Sequence, residues 1–241
     1  MAYVCARGVR FNVVDLGGAP ADRRDGSGAP EPVVMLHGLF TGSAASWFFT
    51  VAPALARARP VRLIDWRGHG MSERTPTGYG TATMVADLAA LTADLPPFAV
   101  VGHSYGATVG VRFARAHPGR ATRLALVDPP FAGVARVGPV PAGGLRARAG
   151  RRAAALAAET SLLADLAAEP PVTAAELRAL AGLPVLAVTG GDSPFRAAGD
   201  LVGRALPDAR RHVLAGGHDL HVTARARLTP LLKSFLEDAH A

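Results

Sequence analysis

The stretch FAVVGHSYGATVGVRFARAH, residues 98–117, decides how the rest of the chain is read. Its first part, Phe98 to Gly102, is an apolar run without polar alternation, the pattern of a strand buried on both faces. From Tyr105 onward the pattern is helical. Between the two stands Gly102-His103-Ser104-Tyr105-Gly106, a serine in a G-x-S-x-G turn. A strand that turns straight into a helix leaves no room for side chains on either side of the turn residue, so glycine is needed at 102 and 106. Such an elbow holds its serine hydroxyl clear of the sheet, where it can act as a nucleophile. Taken alone the pattern is a modest signal. Its setting between strand and helix sharpens it.

Similar runs recur on both sides of the elbow: VVMLH (33–37), VRLID (61–65), RLALVD (123–128), PVLAVTG (184–190) and RRHVLAG (210–216). Each reads as a buried strand of a parallel sheet, while RFNVVD (10–15) alternates like part of an edge hairpin. Helical segments near 46–58, 81–94, 105–117 and 196–206 separate the strands. A last helix is expected from Pro230, with Thr229 as its N-cap. The alternation predicts an α/β fold with a mostly parallel, doubly wound sheet. Residues 17–32 read as a Gly/Pro/charged loop. One stretch, about 130–182, breaks the alternation. It opens FAGVARVGPVPAGGL and then turns helical, with Thr173 and Glu176 spaced as a capping box. We expect a small helical cap there, inserted into a single domain spanning 1–241. A chain of 241 residues at 49% hydrophobic can bury one sizeable core.

Three further segments stand in order around the elbow. His37-Gly38 follows a strand, Asp65-Trp66-Arg67-Gly68-His69-Gly70-Met71-Ser72 follows the next, and Gly217-His218 lies near the C-terminus. With the elbow they resemble the α/β-hydrolase superfamily over nearly the whole chain. The resemblance implies the α/β-hydrolase fold and a serine hydrolase with Ser104 as nucleophile. An oxyanion hole must then stabilise the charge that develops when Ser104 attacks a carbonyl. Its donors would be the backbone N–H groups of Tyr105, directly after the nucleophile, and of Leu39, with Phe40 as a neighbouring candidate. The base must accept a proton near neutral pH, which selects histidine among the residue types. Of eight histidines, His218 sits in a glycine-flanked loop late in the chain, as the family requires, and His221 is its rival. His37 reads as a structural loop residue. Asp65 and Arg67 read as groups that order their own loop.

The acid is the open assignment. The family usually places it after the strand that precedes the histidine loop, in a G-x-x-D pattern. Here that segment is Gly190-Gly191-Asp192-Ser193, with the aspartate one residue early. Some relatives carry the acid at the end of the strand after the nucleophile helix, where this chain has Asp128. We take Asp128 as the acid and Asp192 as the alternative. Asp128 should then reach His218 Nδ1, and Asp192 should point elsewhere.

Leu39, Phe40, Tyr105, Pro129, Pro130 and Phe131, with Trp47 to Phe49, fall near the expected site, although Trp47 to Phe49 read equally as core. Phe40 and Phe131 are taken as substrate-binding. The apolar set implies a hydrophobic acyl group. Arg136, Arg146, Arg148, Arg151 and Arg152 lie in or near the expected cap with no acidic residue among them, which suits an anionic substrate group or a carrier phosphopantetheine, or else a solvated face. The leading expectation is an ester or thioester hydrolase working through a Ser-His-Asp triad and an acyl-enzyme. The alternatives are a same-fold carbon–carbon hydrolase or lyase, and a non-catalytic binding member of the fold. Epoxide hydrolase and dehalogenase readings are disfavoured, because those enzymes use an aspartate nucleophile.

This chemistry requires no metal and no other cofactor. The expected partner is a small-molecule acyl substrate, free or carrier-bound. Lys and Arg number 26 against 19 for Asp and Glu, a net charge of +7, but no nucleic-acid motif accompanies the charge. No long apolar run suggests a membrane span. The N-terminus has no signal-peptide pattern and Cys5 has no partner cysteine, so a cytoplasmic setting is expected.

Overall fold

Eight strands pair into one sheet in the order β1-β2-β4-β3-β5-β6-β7-β8. The computed structural model describes residues 2–17, 30–131 and 144–238, with the side chains of 144–149 left out. The strands are β1 (Ala2–Ala6), β2 (Val9–Leu16), β3 (Val33–Leu36), β4 (Val61–Ile64), β5 (Phe98–His103), β6 (Ala121–Val127), β7 (Val185–Gly190) and β8 (Arg210–Leu214). β1 and β2 form an antiparallel hairpin, and β2 joins β4 antiparallel; from β4 to β8 every pairing is parallel.

Helices cover both faces, which is why the central strands carry no polar alternation. Val34, Leu36 and Val100 face one core, with Met84 and Leu88 of α3 (Thr81–Leu91), Val109 and Phe113 of α4 (Tyr105–Ala116) and Val202 of α8 (Ala197–Ala205). Val33, Met35 and Val101 face the other. That second core is closed by α1 (Ala44–Phe48), α2 (Ala52–Leu55), α9 (Leu220–Thr223) and α10 (Arg225–Glu237). Between β6 and β7 lie α5 (Gly144–Glu159), α6 (Leu162–Ala168) and α7 (Ala174–Arg178). Thr173 and Glu176 form the reciprocal capping box at the start of α7. Carboxylates of this insertion reach back to the body: Asp165 accepts from the Tyr79 N–H, and Glu169 accepts from Thr81 and Arg112.

β1 pairs with β2 to complete the hairpin, although its sequence gives it no buried face. Three expectations need correction. The segment 46–58 forms two short helices rather than one. β8 is an edge strand with a single buried residue, Leu214, because β7 is its one neighbour in the sheet. The last helix starts at Arg225, with Pro230 inside it. Thr229 is therefore not its N-cap; its hydroxyl donates to the Arg225 carbonyl one turn back. Most of the 17–32 loop and the first part of the 130–182 insertion lie outside the described residues.

Candidate active site

The parallel strands end together at one edge, and the turn after β5 carries Ser104 there. Ser104 has φ 53° and ψ −127°, a conformation that L-residues rarely adopt. The flanking glycines are required by contact. A Cβ on Gly102 would lie 2.6 Å from the Ala107 nitrogen, and one on Gly106 would lie 2.6 Å from the Leu36 carbonyl oxygen. The small residue at 106 thus lets α4 start against the end of β3.

Strand register brings the next element in. Leu36 of β3 pairs with Gly102 of β5, so His37-Gly38 emerges beside His103-Ser104. A Cβ on Gly38 would stand 2.9 Å from Ser104 Cβ. Two buried histidines pin this loop to the one after β4. The Trp66 N–H donates to His37 Nε2 at 3.1 Å, which leaves the proton on Nδ1 to donate to the Gly38 carbonyl at 2.6 Å. The Phe40 N–H donates to His69 Nε2 at 3.0 Å, and His69 Nδ1 donates to the Arg67 carbonyl at 2.8 Å. Both rings are therefore neutral, in keeping with burial, which lowers both pKa values and takes His69 to about 3. The Phe40 N–H is thus occupied, whereas the N–H groups of Leu39 and Tyr105 have no backbone acceptor among the described residues. Asp65 accepts from Asn12, from the Ala44 N–H and from the Met71 N–H, and Arg67 pairs with buried Asp87. Both order the loops around them.

Asp128 follows β6, with φ 48° and no exposure. Its Oδ1 accepts the Gly190 N–H at 2.8 Å, and its Oδ2 accepts from the Ser193 hydroxyl and from His218 Nδ1, the latter at 2.6 Å. Nδ1 of His218 carries the proton in this contact, so Nε2 is left as the free ring nitrogen. Asp192 is exposed, and no side-chain bond ties it to the histidine among the described residues. His221 is buried between Trp47 and His103, with ring centroids 4.7 and 4.3 Å away. Burial lowers its pKa to about 2, which unfits it to accept a proton at neutral pH.

Three residues at the site escaped the sequence reading as contributors. Ser193 stands at the acid position of the G-x-x-D pattern, but the sequence gave it no role. His103 donates from Nε2 to the His218 carbonyl at 3.0 Å, and its ring lies 4.6 Å from that of His218. Phe195 packs edge-on to His218 at 4.9 Å. Phe131, taken from sequence as a substrate contact, is buried among the residues of the first core. Trp47 is likewise core, and Phe49 is exposed. Phe40 does line a cavity of about 710 Å³ beside the oxyanion loop, with Gly68, His69, Leu156, Arg151 and Arg152.

His103, Asp219 and His221 bring one candidate metal-ligand atom each within 4.8 Å of one another. The two rings pack against each other at a tilt of 48°, and His103 Nε2 is engaged with the His218 carbonyl. His103 thus packs between the rings of His218 and His221, and Asp219 is exposed beside it. No described helix is long and apolar enough to cross a membrane.

Fold and site together define a chain of the α/β-hydrolase fold, and the family model of that description matches residues 31–158; the chain belongs to this family. Among curated proteins it is similar to an sn-1-specific diacylglycerol lipase of Danio rerio, 38% identical over 108 residues, which is 43% of this chain and 33% of the relative. It is also similar to a 2-hydroxy-6-oxo-2,4-heptadienoate hydrolase of Pseudomonas putida, 35% identical over 130 residues, 52% of this chain and 42% of the relative. The matching stretch thus spans less than half the length of either relative. Among solved structures, the enol-lactonase from Burkholderia xenovorans LB400 superposes with a TM-score of 0.77 at 20% identity, covering 98% of this chain and 100% of that one.

Proposed function

We propose that the protein hydrolyses an ester or thioester of a hydrophobic acyl group through Ser104, His218 and Asp128. The observation that carries this reading is the 2.6 Å contact of Asp128 Oδ2 with His218 Nδ1, made at the strand edge that bears the Ser104 elbow. His218 Nε2 takes the proton of Ser104 as Oγ attacks the acyl carbon. Asp128 holds the imidazole in the tautomer that can do so and stabilises the imidazolium that forms. The N–H groups of Leu39 and Tyr105 receive the oxyanion. Collapse of the tetrahedral species expels the alcohol or thiol, protonated by His218, and leaves an acyl-serine. A water molecule, deprotonated by His218, releases the acid and restores Ser104. The substrate is a small acyl compound, and no cofactor enters the scheme.

A second reading is supported by the heptadienoate hydrolase relative, which suggests cleavage of a carbon–carbon bond on the same framework. A substrate panel separates the two. We expect turnover of p-nitrophenyl esters or acyl thioesters, abolished in Ser104→Ala. Turnover confined to vinylogous diketones supports the second reading, and turnover of neither class, with no acyl-enzyme detected, opposes both.

A further inference from the structure

We propose that the cavity beside the oxyanion loop is a subsite for an anionic group, a carboxylate or a phosphate, carried by the substrate; the inference rests on the hydrolase reading above. The cavity holds about 710 Å³ and is walled on its apolar side by Phe40 and Leu156. Thr41 and Ser43 add hydroxyls, His69 is neutral, and Arg151 and Arg152 of α5 supply two guanidinium groups. Among the described residues no carboxylate lines it.

The arginines around this region are otherwise matched. Glu159, at the end of the same helix, pairs with Arg74. Glu169 and Glu176 pair with Arg112, and Asp87 pairs with Arg67. Arg151 has no ion pair or hydrogen bond among the described residues. Arg152 donates Nη2 to the Gly70 carbonyl at 2.9 Å, which anchors its guanidinium at the rim and leaves its charge unneutralised. Arg152 also borders a smaller cavity of about 300 Å³ that Asp65 touches. The oxygens of Asp65 are already taken by Asn12 and by the N–H groups of Ala44 and Met71, so Asp65 is committed to its own loop.

Two guanidinium groups over an apolar wall suit a ligand with an aliphatic body and an anionic end. The planar fork of arginine binds carboxylate and phosphate oxygens in pairs, and such bonds are stronger than neutral ones. The cavity abuts Phe40, next to the oxyanion donor Leu39. An anionic group seated there would orient the rest of the substrate along the loop that receives the reacting carbonyl.

Matched substrates test this. One arm compares the monomethyl and dimethyl esters of one medium-chain dicarboxylic acid, and the other compares an acyl-pantetheine with its 4′-phosphate. The anionic member of at least one pair should have a kcat/KM about tenfold higher. The arm that responds tells carboxylate from phosphate. The preference should shrink as ionic strength rises, since salt screens partly exposed charges. It should collapse in Arg151→Gln/Arg152→Gln and invert in Arg151→Glu/Arg152→Glu. Equal rates within both pairs, or a preference that survives both double variants, would overturn the subsite while leaving the hydrolase reading intact. If no ester or thioester turns over and no acyl-enzyme is detected, the hydrolase reading fails, and calorimetry with inorganic phosphate and with a medium-chain dicarboxylate decides the subsite separately. Salt-sensitive binding lost in the double variant supports it, and no binding overturns it. Should the double variants fail to fold, Arg151→Gln and the salt dependence of the unmodified protein decide between the same two outcomes.

Discussion

At residue 193 a serine stands in the place where the G-x-x-D pattern would put an acid, and its hydroxyl donates to Asp128, which comes from the neighbouring strand end. The carboxylate that meets His218 stands at the end of β6, one strand over from the β7 end that carries Ser193. If this is the working arrangement, Asp128→Asn should lower kcat roughly 10⁴-fold, because the amide no longer holds the imidazole in the required tautomer. Asp192→Asn should leave steady-state rates nearly unchanged, and equal losses in the two variants would reverse the assignment. Ser104→Ala should remove roughly 10³-fold or more of the rate without altering the circular dichroism spectrum. At this scale the sequence was informative where a backbone requirement left a mark. The glycines at 102 and 106 announced the elbow because nothing larger fits there. Ser193, His103 and Phe195 left no mark, because a hydroxyl or a ring that meets a partner far away in the chain has no local spacing to betray it.

Among the elements, the elbow and the loops around it depend on two kinds of close fit. Gly106→Ala would drive a methyl group to 2.6 Å from the Leu36 carbonyl oxygen. Separating α4 from β3 in this way should cost about 1–3 kcal/mol and displace the Tyr105 N–H. Urea unfolding should then show a lower midpoint, accompanied by reduced turnover; a variant with unchanged stability and rate would mean that the contact is not needed. The second fit is the pair Arg67–Asp87, in which the carboxylate is fully buried. Arg67→Met leaves the buried acid with Arg7 alone, 3.4 Å away, and should cost up to about 3–5 kcal/mol, much of it regained in Arg67→Met/Asp87→Leu. Equal stability of the single and double variants in urea would contradict that account. Strand positions were legible in the sequence because burial on both faces writes an unbroken apolar run. Helix ends were less so. Pro230 resembles a helix start, but α9 and α10 follow each other closely, and packing of Leu228, Leu232 and Phe235 carries the helix through the proline.

For the molecule as a whole, burial of neutral histidines predicts how stability responds to acid. His69 and His103 are held at about 3 and His221 at about 2, each first by burial, against 6.5 when exposed. Between these values the unfolded chain binds protons that the folded chain refuses. Stability is therefore complete above about pH 6.5 and is lost as pH falls toward about 3, at up to about 1.4 kcal/mol per pH unit for each ring. Urea midpoints should hold from about pH 7.5 to about pH 6.5 and then fall down to about pH 5, and a flat profile over the whole range would show that these rings protonate in place. Neither this histidine cluster nor the eight-strand order was visible along the chain. Both arise from strand pairing, which brings His37, His103 and the loop of His218 and His221 to one edge of the sheet.

Reaction with a fluorophosphonate probes most directly whether Ser104 is a nucleophile activated by His218 and Asp128. Intact mass followed by peptide mapping should find one phosphonyl group per chain, on Ser104. Labelling should vanish in Ser104→Ala and slow sharply in His218→Ala and Asp128→Asn, while Asp192→Asn labels at the normal rate. An unlabelled wild-type protein, a label on another residue, or undiminished labelling in His218→Ala would contradict the account.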